Sequence, residues 1–373
     1  MTVVFWASAL IVLHTYVGYP VWLWLRGRWR PCPVRRGTCE PLVSVVMVVR
    51  NGEPTVAKKI RNLLELDYPA DRLQVVVVSD GSTDRTDAIL REQVRDSRVQ
   101  VVCNQLARGK ACGLNDGIRL VQGDIVVFTD VRQTIERGAV RLLLENFADP
   151  EIGAVSGELM LGDPSEGETN RGLGLYWRVE KRIREWEAQS GSVIGVTGAL
   201  YAARRSLLPD VPEDTILDDV FIPMSVLRRG YRVVFDPRAR AWDMADLGRD
   251  REFARKVRTL NGNYQLLQLA PWLLMKENPA RFEFVSHKLM RLISPFALAG
   301  MLVASAFLQQ PMYRITLVLQ LGFYFLSALA PAHLTRGSIG RVADAAFTFV
   351  LLNTAAVVAF AHFVTGRKAA WRP

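Results

Sequence analysis

Leu73-Gln74-Val75-Val76-Val77-Val78-Ser79-Asp80-Gly81-Ser82-Thr83 is a continuous apolar run that ends on an acid and a turn. A short β-branched run of this kind suits a strand buried on both faces of a sheet. In the turn that follows, Ser82 or Thr83 can cap the next helix. The same grammar extends outward. Val43–Val49 is a second buried strand, preceded by the Pro- and Arg-rich stretch Pro31–Pro41. Thr55–Leu64 predicts a helix, Val99–Cys103 a strand, Lys110–Val121 a helix and Asp124–Thr129 a strand. Strands and helices alternating at this spacing form βαβ units, so the expected fold is α/β with a mostly parallel sheet and helices on both faces. Asp80 and Asp130 each stand where a strand ends. In open α/β sheets, ligands bind outside the carboxyl ends of the strands.

After about Asp149 the alternation loosens. Trp177–Ala188 reads as a charged amphipathic helix, and Ser192–Ala203 as a strand region interrupted by glycine. Asp218 and Asp219 lie in Ile216–Val220, with a helix over Asp219–Arg229 and a short strand over Tyr231–Phe235. Glu252–Met275 starts basic, with Arg255 and Arg258, and turns apolar at Pro271–Leu274. It reads as a helix lying along a membrane surface.

Apolar stretches flank this polar block. Thr2–Leu25, Leu289–Leu308, Ile315–Pro331 and Ala345–Val364 are almost free of charge. Crossing a bilayer takes roughly 20 apolar residues, so three qualify and Ile315–Pro331 is at the short limit. The first stretch has no basic residue before it and no small-residue cleavage site after it, so it reads as an anchor rather than a leader. Arg26, Arg28, Arg30, Arg35 and Arg36 follow it, which places the polar block in the cytoplasm and the chain in the inner membrane. Four simple spans would put the tail outside, against the charge of Arg367, Lys368 and Arg372. The expected organisation is therefore an N-terminal span (1–26), a basic linker (27–42), an α/β domain (43–245), interfacial helices (246–286) and about three spans (287–373).

The 373 residues carry a formal charge of +10, and half of them are hydrophobic. Much of the basic excess borders apolar segments, where anionic lipid headgroups would meet it, so membrane lipids rather than nucleic acid are the expected partner. Cys32, Cys39, Cys103 and Cys112 form no CxxC pair. His14, His287, His333 and His362 all border apolar segments, so no histidine-ligated metal site is expected. No G-x-G-x-x-G follows a strand, Gly109-Lys110 lacks the rest of a P-loop, and no G-x-S-x-G elbow is present.

The ordered pieces Val43–Val46 with Arg50-Asn51-Gly52-Glu53, Ser79–Asp84, Arg108–Ala111, Phe128-Thr129-Asp130, Thr197-Gly198-Ala199, Leu217-Asp218-Asp219, Arg229–Arg232 and Arg255–Thr259 resemble the membrane-bound inverting glycosyltransferases of family 2. That resemblance implies a GT-A-like nucleotide-sugar-binding domain and a hexosyltransferase using a nucleotide sugar, UDP-linked first. The acceptor it implies is a growing polysaccharide, or alternatively a membrane lipid taking a single sugar. A non-catalytic nucleotide-binding subunit is a third alternative. Partner subunits or a homo-oligomer could complete a channel.

The resemblance also assigns roles. Asp80 would accept hydrogen bonds from the base, and Arg50, Asn51 and Glu53 would line the same pocket. Lys110 would stand near the phosphates. Asp219 would be the base, with Asp218 supporting it. Thr197, Gly198 and Thr259 would face the acceptor. Asp130 would ligate Mg²⁺ or Mn²⁺. The family usually has Asp-x-Asp there, and this chain reads Asp130-Val131-Arg132, so Arg132 is instead a candidate phosphate contact. Arg255 and Arg258 would hold the leaving diphosphate. Long-polymer synthases usually read Gln-x-x-Arg-Trp at this point. Here Thr259 replaces the Trp, leaving Trp177 and Trp186 as candidates for stacking on sugar.

Overall fold

The computed structural model describes residues 1–93, 96–163, 167–168, 174–243, 248–330 and 337–367. Nine strands are found among them: β1 (Val43–Val49), β2 (Leu73–Asp80), β3 (Val99–Asn104), β4 (Ile125–Phe128), β5 (Thr134–Ile135), β6 (Ile152–Asp163), β7 (Gly167–Glu168), β8 (Tyr201–Arg204) and β9 (Arg232–Asp243). The sheet runs β3-β2-β1-β4-β8-β6-β9-β5, with β7 pairing β6 outside that path. β3, β2, β1 and β4 are parallel, as the alternating pattern requires. Every residue of β1 is buried, and one face packs on Ile60 and Leu63 of the helix Val56–Leu64. The other face meets Leu114 of the helix Lys110–Ile118.

Past β4 the sheet is mixed rather than mostly parallel. β8 runs antiparallel to both β4 and β6, β9 runs parallel to β6, and β5 runs antiparallel to β9. β6 escapes sequence reading for a physical reason. Register shifts between Ile152 and Ala154 and between Ser156 and Glu158 break the period of two. β9 extends well past Phe235. Its Asp236-Pro237 step looks like a turn, but Asp236 is fully buried and accepts hydrogen bonds from Asn146 and Arg238.

Among the described residues, four helices are long and apolar enough to cross a membrane: Thr2–Trp29, Arg281–Phe307, Pro311–Leu329 and Ile339–Val364. The helix Gly248–Leu269 packs along the last of these, through Val257 on Ala355 and Ala359 and through Tyr264 stacked on Phe363 at 5.2 Å. The expected surface helix is thus braced against a candidate span.

A buried polar knot ties the first two candidate spans to the helix Gly174–Ser190. His287 meets Glu180 through Nε2 at 2.9 Å and Glu187 through Nδ1 at 2.7 Å. Tyr19 donates to Glu187 at 2.6 Å, and Arg291 donates to Glu180 at 2.7 Å. Taking the imidazole away leaves two carboxylates buried together with fewer partners. His287→Leu should therefore destabilise the protein by on the order of 3 kcal/mol. Thermal unfolding in detergent checks this, and an unchanged midpoint would contradict it.

Candidate active site

Two loops at the carboxyl ends of β1 and β2 are stitched into one rim. Asn51 N–H donates to Ser82 Oγ at 3.1 Å, and Thr83 N–H donates to Asn51 Oδ1 at 2.8 Å. Gly52 N–H donates to Thr86 Oγ1 at 2.8 Å and Glu53 N–H to Asp84 Oδ2 at 3.1 Å. Arg85 N–H returns to Glu53 Oε2 at 3.2 Å. Asn51 and Glu53 therefore shape the loop itself. Arg50 is half-buried, and its Nε is sealed without a partner.

Asp80 is fully buried and accepts the backbone N–H groups of Arg108 at 2.8 Å and Gly109 at 2.9 Å. Its carboxylate thus holds the turn that delivers Lys110. Gly81 makes the approach possible. Its φ is +60°, and a Cβ there would lie 2.3 Å from Ala107 N. Gly81→Ala is expected to cost about 2 kcal/mol or more and to weaken nucleotide binding, checked by thermal unfolding and titration with UDP and GDP. Wild-type behaviour in both would refute the packing argument.

The acids converge around Gly198. Lys110 Nζ lies 3.0 Å from Asp130 Oδ1 and 3.1 Å from Asp218 Oδ2. A Cβ on Gly198 would stand 3.4 Å from Asp130 Oδ2, 3.8 Å from Lys110 Nζ and 3.9 Å from Asp219 Oδ2. Asp130 follows β4, the acid pair opens the helix Asp218–Arg228, and Lys110 opens the helix Lys110–Ile118. Thr197 lies in the loop that carries Gly198, its N–H donating to Ser156 Oγ at 3.1 Å. A single added methyl fits the space at Gly198, whereas a branched chain would fill it. Gly198→Val should keep the fold and remove at least about 90% of turnover by displacing whatever the three groups hold. Circular dichroism and a donor-turnover assay separate the two effects.

Electrostatics distinguish the groups. Burial works against the charge of Lys110, but Asp130, Asp218 and Asp219 outweigh it and hold its pKa above the usual lysine range. Asp219 is pushed up to about 6, first by burial and then by Asp218, with Lys110 and Lys288 pulling back. Its Oδ1 is sealed from solvent and has no hydrogen-bond partner. A carboxylate kept reluctant to ionise, with a free oxygen, is suited to take a proton near neutral pH.

Arg258 and Arg255 lie on the helix Gly248–Leu269. Gln265 of that helix accepts Ile216 N–H at 2.9 Å and donates to Asp214 O at 2.8 Å, so the helix is fastened immediately before the acid pair. Arg255 pairs with Glu252 at 3.7 Å, and Arg258 Nε is sealed without a partner. Thr259 is exposed and donates to the Arg255 carbonyl at 3.0 Å. Trp186 packs with Tyr19, Leu23 and Trp22 of the first candidate span instead of facing the acids. The side chain of Trp177 lies outside the described residues.

Residues 44–211 match the family model described as glycosyl transferase family 2. The chain carries a family 2 glycosyltransferase domain. It is 25% identical over 234 residues to the poly-beta-1,6-N-acetyl-D-glucosamine synthase of Staphylococcus aureus, covering 60% of this chain and 55% of that protein. It is 28% identical over 216 residues to the probable glycosyltransferase YdaM of Bacillus subtilis, covering 54% and 50%. The chain thus spans about half the length of these curated relatives. Among solved structures, it superposes on a mannosyltransferase from Pyrobaculum calidifontis in complex with GDP-Man and Mn²⁺. The TM-score is 0.72 at 24% identity, over 96% of this chain and 99% of that one, which supports the GT-A-like fold.

Within this family 2 domain the second acid of Asp-x-Asp is replaced by Arg132, whose guanidinium meets an acid of β9. Its Nη2 donates to Asp243 Oδ2 at 2.6 Å, and Gln133 Nε2 reaches the same oxygen at 3.0 Å. No group of three or more His, Cys, Asp or Glu residues poised for a metal occurs among the described residues. Asp130 fits a divalent cation through one oxygen only: Oδ1 is held by Lys110, while Oδ2 faces the space at Gly198. Such a site suits Mg²⁺ or Mn²⁺ when phosphate oxygens complete the shell.

Four residues of the site escape sequence reading. Lys59 is buried and donates to Thr129 Oγ1 at 2.8 Å and Gln133 O at 2.6 Å, clamping the loop that bears Asp130. Burial lowers its pKa to about 7 against the pull of Asp130. Its position between Val56, Ile60 and Leu63 on an apolar helix face was a readable sign. Tyr201 stacks on Phe128 at 4.7 Å with an unpartnered, buried hydroxyl, and the nearby acids Asp218, Asp219 and Asp130 add to burial in holding its pKa well up. Asp243 and Lys288 gave no local signal.

Proposed function

We propose that this glycosyltransferase transfers a sugar, with inversion, from a nucleoside-diphosphate sugar to the hydroxyl of a membrane-borne acceptor, and that the family 2 domain works on the cytoplasmic face. A lipid taking a single sugar is the acceptor that the geometry favours. The observation that carries the reading is the unpartnered Oδ1 of Asp219 beside the Lys110–Asp130 pair. In the reaction the acceptor oxygen attacks the anomeric carbon as its proton passes to Asp219. The bond from that carbon to the diphosphate breaks, and its electron pair leaves on the nucleoside diphosphate. Inversion in one displacement needs one base and no covalent intermediate. Lys110 and Arg258 stabilise the charge that develops on the leaving phosphate, and the Arg50–Glu53 and Asp80–Asp84 rim shapes the base pocket. Mg²⁺ or Mn²⁺ would be held by Asp130 and would supply further charge to that phosphate.

A growing polysaccharide is the second reading, favoured by the printed name of the Staphylococcus relative. Against it, Thr259 stands where a stacking Trp is expected and Trp186 is packed on the first candidate span. The test is purified protein in lipid vesicles with UDP- and GDP-linked sugars, Mg²⁺ and Mn²⁺ varied, and nucleoside diphosphate release as readout. A single-sugar lipid product supports the first reading and a high-molecular-weight product the second. No nucleotide release from any donor would defeat both.

A further inference from the structure

Lys288 stands beside the candidate base and comes from an unexpected place, the first turns of the candidate span Arg281–Phe307. A π-helical turn, Val285–Leu289, inserts one extra residue there. Such bulges recur at functional sites. Lys288 Nζ lies 3.8 Å from where a Cβ on Gly195 would stand, and the Asp219 carbonyl lies 3.6 Å from the same point. Two acids of the adjoining knot are already engaged. Glu180 and Glu187 are held by His287, Arg291 and Tyr19. The Lys288 side chain makes no hydrogen bond or ion pair among the described residues. Arg184 and Arg291 add positive charge around it, against Glu180 and Asp219. A half-buried ammonium on which Glu180 and Asp219 act only from beyond contact, with no ion pair of its own, leaves room for a visiting anion.

We propose that Lys288 binds a phosphate carried by the acceptor and thereby sets the acceptor class: a lipid-anchored phosphodiester with a free hydroxyl a few atoms from the phosphorus. This rests on the lipid reading above and deepens it. The donor diphosphate has its own cation in Lys110, which sits between Asp130 and Asp218. The phosphate is the anchor and not the nucleophile. A phosphate oxygen ionised at neutral pH needs no base, whereas a hydroxyl does, and Asp219 is placed to serve one. The hydroxyl oxygen bonds to the anomeric carbon, its proton goes to Asp219, the departing pair goes to the nucleoside diphosphate, and the acceptor phosphodiester is unchanged. A phosphate seated on Lys288 also places its acyl chains along a span that exposes Ile293 and Phe296.

The probe is full-length protein in phosphatidylcholine vesicles containing either phosphatidylglycerol, which has phosphate and hydroxyl, or diacylglycerol, which has the hydroxyl alone. Soluble glycerol 1-phosphate is a third arm. The expected result is sugar incorporated into phosphatidylglycerol at least about tenfold more efficiently than into diacylglycerol. Glycerol 1-phosphate serving equally well would assign the recognition to phosphate in solution instead of to a lipid headgroup, overturning the lipid source. Lys288→Met should raise the KM for phosphatidylglycerol about tenfold or more, with UDP and GDP affinities moving less than twofold, and Lys288→Arg should restore the KM. Equal use of diacylglycerol, no transfer to phosphatidylglycerol while donor is turned over, or a loss confined to nucleotide affinity overturns the proposal. A wild-type protein that never releases nucleotide overturns the glycosyltransfer reading instead.

Discussion

Asp219→Asn is expected to lower kcat by about 10²–10⁴-fold, the usual contribution of a positioned base, and at the same time to make the protein more stable. The two effects have one cause. Burial and Asp218 push the Asp219 pKa up to about 6 in the folded chain, above the 3.8 of an ordinary aspartate. Folding therefore carries a penalty wherever the carboxylate must be charged. The sign follows from linkage: below about pH 4 both states are protonated and no penalty exists, between pH 4 and 6 it grows, and above pH 6 it is complete. The Asn variant should melt higher than wild type at pH 7–8, and the gain should vanish as pH falls towards 4. Wild-type kcat/KM should rise with pH through about 6 as the base becomes available. A pH-rate profile and melting curves across the same range check both halves. Undiminished turnover in the Asn variant would remove Asp219 as base.

Lys110→Met should have the opposite effect on stability. Lys110 is the cation between Asp130 and Asp218, at 3.0 and 3.1 Å, and the Asp218 side chain is 6% exposed. Removing one partner of a buried pair leaves a desolvated charge, which costs about 3 kcal/mol. Asp130 is 39% exposed and contributes little to that figure, because water screens it. Turnover should fall by roughly 10²-fold, since the leaving phosphate loses its nearest fixed charge. The remaining activity should need higher pH, because Lys110 also restrains the upward shift of Asp219. Thermal unfolding, single-turnover rates and the acid limb of the pH profile report the three consequences. An acid limb left at pH 6 would separate Lys110 from the base.

Much of this molecule was legible because its first half is local. The runs Val43–Val49 and Leu73–Ser79 are β-branched and unbroken, so burial on both faces of a parallel sheet was readable from composition alone. Asp80, Asp130 and the Asp218-Asp219 pair were readable as candidates because each stands at the end of a strand or the start of a helix. Four apolar helices were likewise visible by length. Illegible were β6, whose bulges break the alternation, and β9, whose Asp236-Pro237 step mimics a turn until Asp236 is seen buried on Asn146 and Arg238.

The individual roles needed the tertiary structure. Arg132 was read as a phosphate contact, and the fold gives its guanidinium a partner in Asp243, 111 residues away, that no local pattern announces. Trp186 was a candidate platform for sugar, and it packs on the first candidate span. Lys288 carried no signal in the sequence, and the π turn sets it beside Asp219. By itself, the order of residues determined the βαβ half of the sheet, the apolar spans and the candidate acids, because hydrophobic period and strand ends are properties of neighbouring residues. Only the folded chain decided which cation meets which acid and which oxygen is left without a partner. Those outcomes depend on side chains brought together across tens of residues to more than a hundred, and on how far each is withdrawn from water.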